Sequence, residues 1–141
     1  MTGPDQNLQP PAGFEPIEHS NPFGAHIGPI YEREAGDQFW RGFYIGERHS
    51  NSARIAHGGV LMTFADVVLA RAVSREINGM AVTVRMTCDF LGPARLNAWV
   101  EGTASVTRST KSLVFVEGTL SVGDRPIFAA QGLFKPIRQR G

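Results

Sequence analysis

The chain has 141 residues and a mass of 15.4 kDa, the usual size of one compact domain. Its 42% hydrophobic and 19% charged residues supply a real core and exclude whole-chain disorder and collagen-like repeats. A formal charge of +1 excludes a strongly basic, electrostatic nucleic-acid binder, and 12 of the 14 basic residues are Arg, which favours planar, bidentate recognition of phosphate or carboxylate.

Five of the nine prolines fall in the first 22 residues, so residues 1–13 read as a disordered or extended lead-in and 14–141 as a single domain. No Lys or Arg precedes Arg33, which speaks against a leader peptide, and no apolar run approaches the ~18 residues of a membrane span. From Phe14 to Ile27, apolar residues mixed with Pro and Gly predict an irregular arm. Two short strands follow, about Pro29–Glu34 and Gln38–Gly46. The second carries Phe39, Trp40, Phe43 and Tyr44, expected in the core and on a pocket wall. A helix is predicted from His57 or Gly58 to about Glu76, stopped by Asn78-Gly79. Its middle, from Val60 to Ala70, is apolar nearly all round, the pattern of a helix buried on most sides.

Beyond the helix the pattern has period two. Met80, Val82, Val84, Met86, Cys88 and Phe90 share one expected face, and Thr83, Arg85, Thr87 and Asp89 the other. Cys88, the single cysteine, permits no intrachain disulfide, fits a reducing cytoplasm and reads as a packing residue. Gly92-Pro93 breaks the run. A second strand follows from about Leu96 to Val106, a polar turn at Arg108–Ser112, and further strands at about Leu113–Val122 and Pro126–Phe134. The order β–β–α–β–β–β–β predicts an α+β fold in which an antiparallel meander wraps one helix and a partner covers the rest.

The chemistry concentrates in Asn51-Ser52-Ala53-Arg54-Ile55-Ala56-His57-Gly58-Gly59, followed by Asp66. Glycines at a helix start let a ligand approach the backbone, and the first helical N–H groups lack intrahelical acceptors. Such a helix start serves as an ordinary turn, as an anion site, or as the donor to an oxyanion. Asp66 stands among Phe64, Ala65, Val67 and Val68. It either pairs with a core Arg or a backbone group, or acts as a nucleophile or general base. His19, His26 and His49 are scattered without metal-ligand spacing and are expected to pack or face solvent.

Asn51, His57-Gly58-Gly59 and Asp66, with Phe90-Leu91-Gly92-Pro93-Ala94 and the turn before Leu113-Val114-Phe115-Val116-Glu117, resemble the hotdog-fold acyl-CoA thioesterases. The phenylacetate-pathway and hydroxybenzoyl-CoA branch is the nearest, and the likeness runs from about Phe39 to Phe134. It implies a hotdog fold and hydrolysis of an acyl-CoA or aryl-CoA thioester in a cytoplasmic homodimer or dimer of dimers. No cofactor is implied beyond the CoA of the substrate, and no metal, nucleic acid or membrane. It further implies that Asp66 attacks the thioester or activates water while the Gly58 N–H polarises the carbonyl. Asn51 and His57 would support the site, and Thr83 would assist the water. Gly59, Phe90 and the turn residues Arg108, Ser109, Thr110, Lys111 and Ser112 would contact the substrate. Two residues depart from the pattern: Arg54 stands where the family commonly has Gly, and Ala70 replaces a Thr of some relatives. A non-catalytic acyl-CoA-binding hotdog domain is the alternative, although a pure binder gains nothing from a carboxylate at position 66. A dehydratase would need a differently spaced acid and His.

Overall fold

The computed structural model describes residues 8–18 and 21–137. Residues 1–7 of the expected lead-in, and His19, lie outside that range. Seven strands form one antiparallel sheet: β1 (Glu15–Pro16), β2 (Tyr31–Ala35), β3 (Gln38–Tyr44), β4 (Ala81–Phe90), β5 (Trp99–Ser109), β6 (Val114–Val122) and β7 (Arg125–Pro136). Their order across the sheet is β1-β2-β3-β5-β6-β7-β4. Helix α1 (Pro22–Ile27) is short, and α2 (Gly58–Ile77) lies against β4, β5, β6 and β7. One long helix wrapped by a curved antiparallel sheet is the hotdog fold, as expected.

Helix α2 starts where His57 caps it and stops where Asn78 turns left-handed at φ 50°. Leu61, Phe64, Ala65, Val68, Leu69, Ala72 and Val73 form its buried stripe, at the i, i+3, i+4 spacing of a single helix face. Each fully buried Leu, Val or Phe contributes roughly 1.5–3 kcal/mol. Expected burial on most sides is thus only partly met within one chain. Met62 is exposed, and Val60, Val67 and Ala70 are half-buried.

Two other expectations are corrected. The irregular arm contains β1 and α1, the latter started by Asn21, whose Oδ1 accepts from the Gly24 N–H at 2.6 Å, and by Pro22 in the first turn. On β4 the expected two faces exchange partway along. Thr83 lies opposite Phe134 and Arg85 opposite Leu133, so Val84 is an extra residue in a bulge. A bulge reverses the period-two alternation. Thr83 therefore shares the helix-facing side with Met86 and Cys88, while Val82 and Val84 are exposed. Cys88 is half-buried against the core as a packing residue, and burial pushes its thiol pKa up, with the neighbouring Asp89 adding to the shift.

Candidate active site

The loop before α2 is a closed turn. Ser50 and Ala56 form a bridge, the Asn51 N–H donates to the Ile55 carbonyl at 2.9 Å, and the Arg54 N–H donates to the Asn51 carbonyl at 3.0 Å. The Asn51 side-chain Oδ1 accepts from the Ala53 and Ile55 N–H groups at 2.9 and 3.4 Å. Asn51 thus spends its carbonyl on the loop and keeps its amide NH2 available. Arg54 adopts φ 62°, the left-handed conformation that Gly adopts without penalty. Held there, Arg54 costs about 1–2 kcal/mol in backbone strain. Arg54→Gly, which relieves that strain but adds entropy to the unfolded chain, is expected to stabilise by about 0.5–1 kcal/mol, read as a raised Tm in thermal denaturation.

The first turn of α2 leaves one donor over. The Gly59 N–H donates to the His57 Nδ1 at 2.9 Å, and the Val60 and Leu61 N–H groups donate to the His57 carbonyl at 3.0 and 3.4 Å. Among the described residues nothing accepts from the Gly58 N–H. The Gly59 amide is consumed within the chain, whereas the Gly58 amide carries the positive end of the helix dipole outward. A Cβ at Gly58 would stand 3.2 Å from the Phe90 ring, so the absence of a side chain keeps this approach open. Phe90 itself is 55% exposed and meets Phe128 edge-on. His49 proves to be a packing histidine. Buried, it accepts at Nδ1 from the Gly46 N–H at 2.9 Å, and Nε2 lies 2.8 Å from the Ile27 carbonyl, which fixes the neutral Nε2–H tautomer.

Asp66 is half-buried on α2, and the Thr83 hydroxyl donates to its Oδ1 at 2.6 Å. Such a short, charge-assisted bond orients the carboxylate. Among the described residues nothing donates to Oδ2, which remains available as a base or nucleophile. The bulge at Val84 is what turns Thr83 toward the helix. Thr83→Val is expected to lower kcat about tenfold with a smaller change in KM, while Thr83→Ser stays within about threefold of wild type, because the hydroxyl positions the carboxylate. Steady-state kinetics of both variants checks this.

A cavity of about 470 Å³ opens beside Asp66, between α2, α1 and the start of β4. It brings in residues that the sequence reading did not single out: Phe23 and Ile27 from α1, Arg71 from α2, and Arg41 from β3. Arg41 had a legible signal, since it alternates with Phe39 and Phe43 on the inward face of β3. Phe39 and Phe43 are core, whereas Trp40 and Tyr44 lie on the other side of the sheet. There Arg33 covers Trp40, and Tyr44 meets Trp99. None of the four lines this cavity.

The predicted residues fall into separate groups within one chain. Asn51, His57, Gly58 and Phe90 gather at the N-terminal end of α2, and Asp66 with Thr83 two turns further along it. The turn at Arg108–Ser112 is a third group. Across the sheet, Thr83 aligns through Phe134 with Val114, next to that turn, whereas Phe90 aligns through Phe128 with Leu120. The turn therefore sits at the end of the sheet opposite Phe90. Thr110 Oγ1 accepts from the Leu113 N–H at 3.0 Å and closes it, leaving Arg108 and Lys111 exposed. Among the described residues no three His, Cys, Asp or Glu side chains group as a metal site.

Residues 54–129 match the family model of the thioesterase superfamily. The chain is 38% identical over 127 residues to a candidate esterase of Pseudomonas aeruginosa, covering 88% of this chain and 95% of that one. The protein belongs to the thioesterase superfamily. Among solved structures, a Bacillus halodurans protein crystallised with CoA superposes with TM-score 0.75 at 22% identity, over 88% of this chain and 83% of the other. A mutant of the phenylacetic acid degradation protein PaaI from Thermus thermophilus gives TM-score 0.72 at 20% identity, over 83% of this chain and all (100%) of the other. At these identities the structures share the fold.

Proposed function

We propose that the protein hydrolyses an acyl-CoA or aryl-CoA thioester to the free acid and CoA. The observation that carries this reading is the Asp66 carboxylate held at one oxygen by Thr83 beside a cavity, with no donor to its other oxygen among the described residues. As a general base, Asp66 takes a proton from water as the hydroxide adds to the thioester carbon. The oxyanion so formed is stabilised by the Gly58 N–H of the second copy, then collapses to break the C–S bond, and the thiolate leaves to be protonated. As a nucleophile, Asp66 would first form a mixed anhydride that water opens. The Asn51 amide NH2 and His57 hold the substrate or water. Gly59 and Phe90 border the thioester arm, and Arg108, Ser109, Thr110, Lys111 and Ser112 meet the CoA. Neither route calls for a cofactor.

The active unit in this reading is a homodimer, open to assembly as a dimer of dimers. β4 pairs with β7 on one side only, and its free edge carries exposed Val82 and Val84 with Phe90 and Leu91 beyond. An uncovered apolar edge strand invites a second strand, and a second copy supplies it symmetrically. Residues 14–141 act as one domain, in the cytoplasm. The phenylacetate-pathway and hydroxybenzoyl-CoA branch is favoured by the motif His57-Gly58-Gly59 with Asp66. Among the described residues no helix is long and apolar enough to cross a membrane.

The test is thiol release from short-, medium- and long-chain and aryl CoA thioesters. Turnover of at least one supports the reading. Binding throughout without thiol release overturns it in favour of an acyl-CoA-binding module.

A further inference from the structure

The cavity beside Asp66 has both apolar and cationic lining: Val67 and Ala70 on α2 and Phe23 and Ile27 on α1 supply the first, Arg71 and Arg41 the second. Exposed Glu18 also borders it. The two arginines belong to an ion-pair group with an unequal count. Arg71 Nε and Nη2 donate to the two oxygens of Glu32 at 2.9 and 3.2 Å, and Nη2 also reaches Glu34 at 3.0 Å. Arg75 Nη1 donates to Glu34 at 2.8 Å and its Nη2 to the Asp37 carbonyl at 3.3 Å. Arg41 adds only an Nε bond to Glu32 at 2.9 Å. Among the described residues, three guanidinium groups thus share two carboxylates.

Glu32 is already satisfied through both oxygens by Arg71, so fastening the β2–β3 hairpin to α2 does not need Arg41. Yet the Arg41 side chain is only 16% exposed, and among the described residues nothing accepts from its two Nη groups. Burial is costly for such a group, and it pulls the Arg41 pKa below its ordinary value, against the opposing pull of Glu32. A surplus cation with open donors in a cavity is complemented by an anion, and a guanidinium fork matches a carboxylate best.

Resting on the thioesterase reading, we infer that Arg41 is a specificity-determining residue that receives a carboxylate at the far end of the acyl chain, so that the substrate is a dicarboxylic mono-CoA thioester. Asp66 and Arg71 line the same cavity five residues apart on α2, about 7.5 Å of helix rise, so dicarboxylic chains of about six to eight carbons are the ones to test first.

The test compares kcat/KM for adipyl-CoA and suberyl-CoA with that for hexanoyl-CoA and octanoyl-CoA, in wild type and in Arg41→Gln. Wild type is expected to favour the carboxylate-ended partner of each pair at least ~10-fold, and the variant to lose most of that ratio. Because Arg71 still holds Glu32, the variant leaves no unpaired carboxylate, and the wild-type comparison needs no variant at all. Equal or better turnover of the methyl-ended thioesters by wild type overturns the inference and leaves the thioesterase reading standing. A carboxylate preference that survives Arg41→Gln overturns the role of Arg41. No thiol release from any of the four, with none from the wider panel, refutes both.

Discussion

Asp66→Asn is expected to lower kcat for thioester hydrolysis by at least about 100-fold while shifting Tm by no more than a few degrees. Asn has nearly the same volume and helix propensity as Asp, and its side-chain carbonyl can accept the Thr83 hydroxyl as Oδ1 does now. What disappears is the negative charge and the free Oδ2, which the chemistry requires whether the carboxylate attacks carbon or takes a proton from water. The effect should therefore exceed that of Thr83→Val, which leaves the charge in place and loosens only its orientation. Steady-state kinetics with a thermal melt on the same preparation separates lost chemistry from lost folding. Near-wild-type turnover by the Asn variant would make the Asp66–Thr83 pair a structural bond between α2 and β4, and the mechanism would have to be rebuilt without it.

Much of this arrangement was legible in the residues, and what was not has identifiable physical reasons. The helix announced itself through the apolar run from Val60 to Ala70, the two glycines at its start and the Asn78-Gly79 stop, and the meander through its period-two strands and turns. The bulge on β4 left no trace, because the inserted residue is Val84. A valine fits either face of a strand, so the alternation looked unbroken. That single residue moved Thr83 from the expected polar face to the side of Asp66. Helix α1 was signalled by Asn21-Pro22, but six residues are too few to show a helical period. The roles of Gly58 and Gly59 divided only once the His57 ring was seen to consume the second N–H. Arg41 was readable as a charge on an apolar alternation. Its surplus became visible only when Arg71, 30 residues away on another element, was found holding Glu32 with both of its oxygens.

Mixing two inactive variants is expected to restore activity, one carrying Asp66→Ala and the other altered at both Asn51 and Gly58. Gly58 and Asp66 are eight residues apart on α2, about 12 Å of rise, whereas an oxyanion donor and the attacking group must both reach one carbon within roughly 3–3.5 Å. An Asp side chain cannot bridge that gap along its own helix. The free edge of β4 offers a way to close it. If two copies pair antiparallel through β4 about Thr87, Thr83 of one copy comes opposite Phe90 of the other, since with the bulged Val84 left out of the count both lie three strand positions from that centre. Thr83 holds Asp66 and Phe90 flanks Gly58, so the carboxylate half of one chain meets the amide half of its partner. The same pairing covers exposed Val82 and Val84. In the mixed dimer, one of the two sites combines an intact Asp66 with an intact Asn51 and Gly58, and the other is doubly disabled. After full subunit exchange half of the dimers are mixed, so recovery of about a quarter of wild-type turnover per chain is expected. Verified exchange without recovery would show that each site lies within one chain, and Gly58 could then no longer be the donor opposite Asp66.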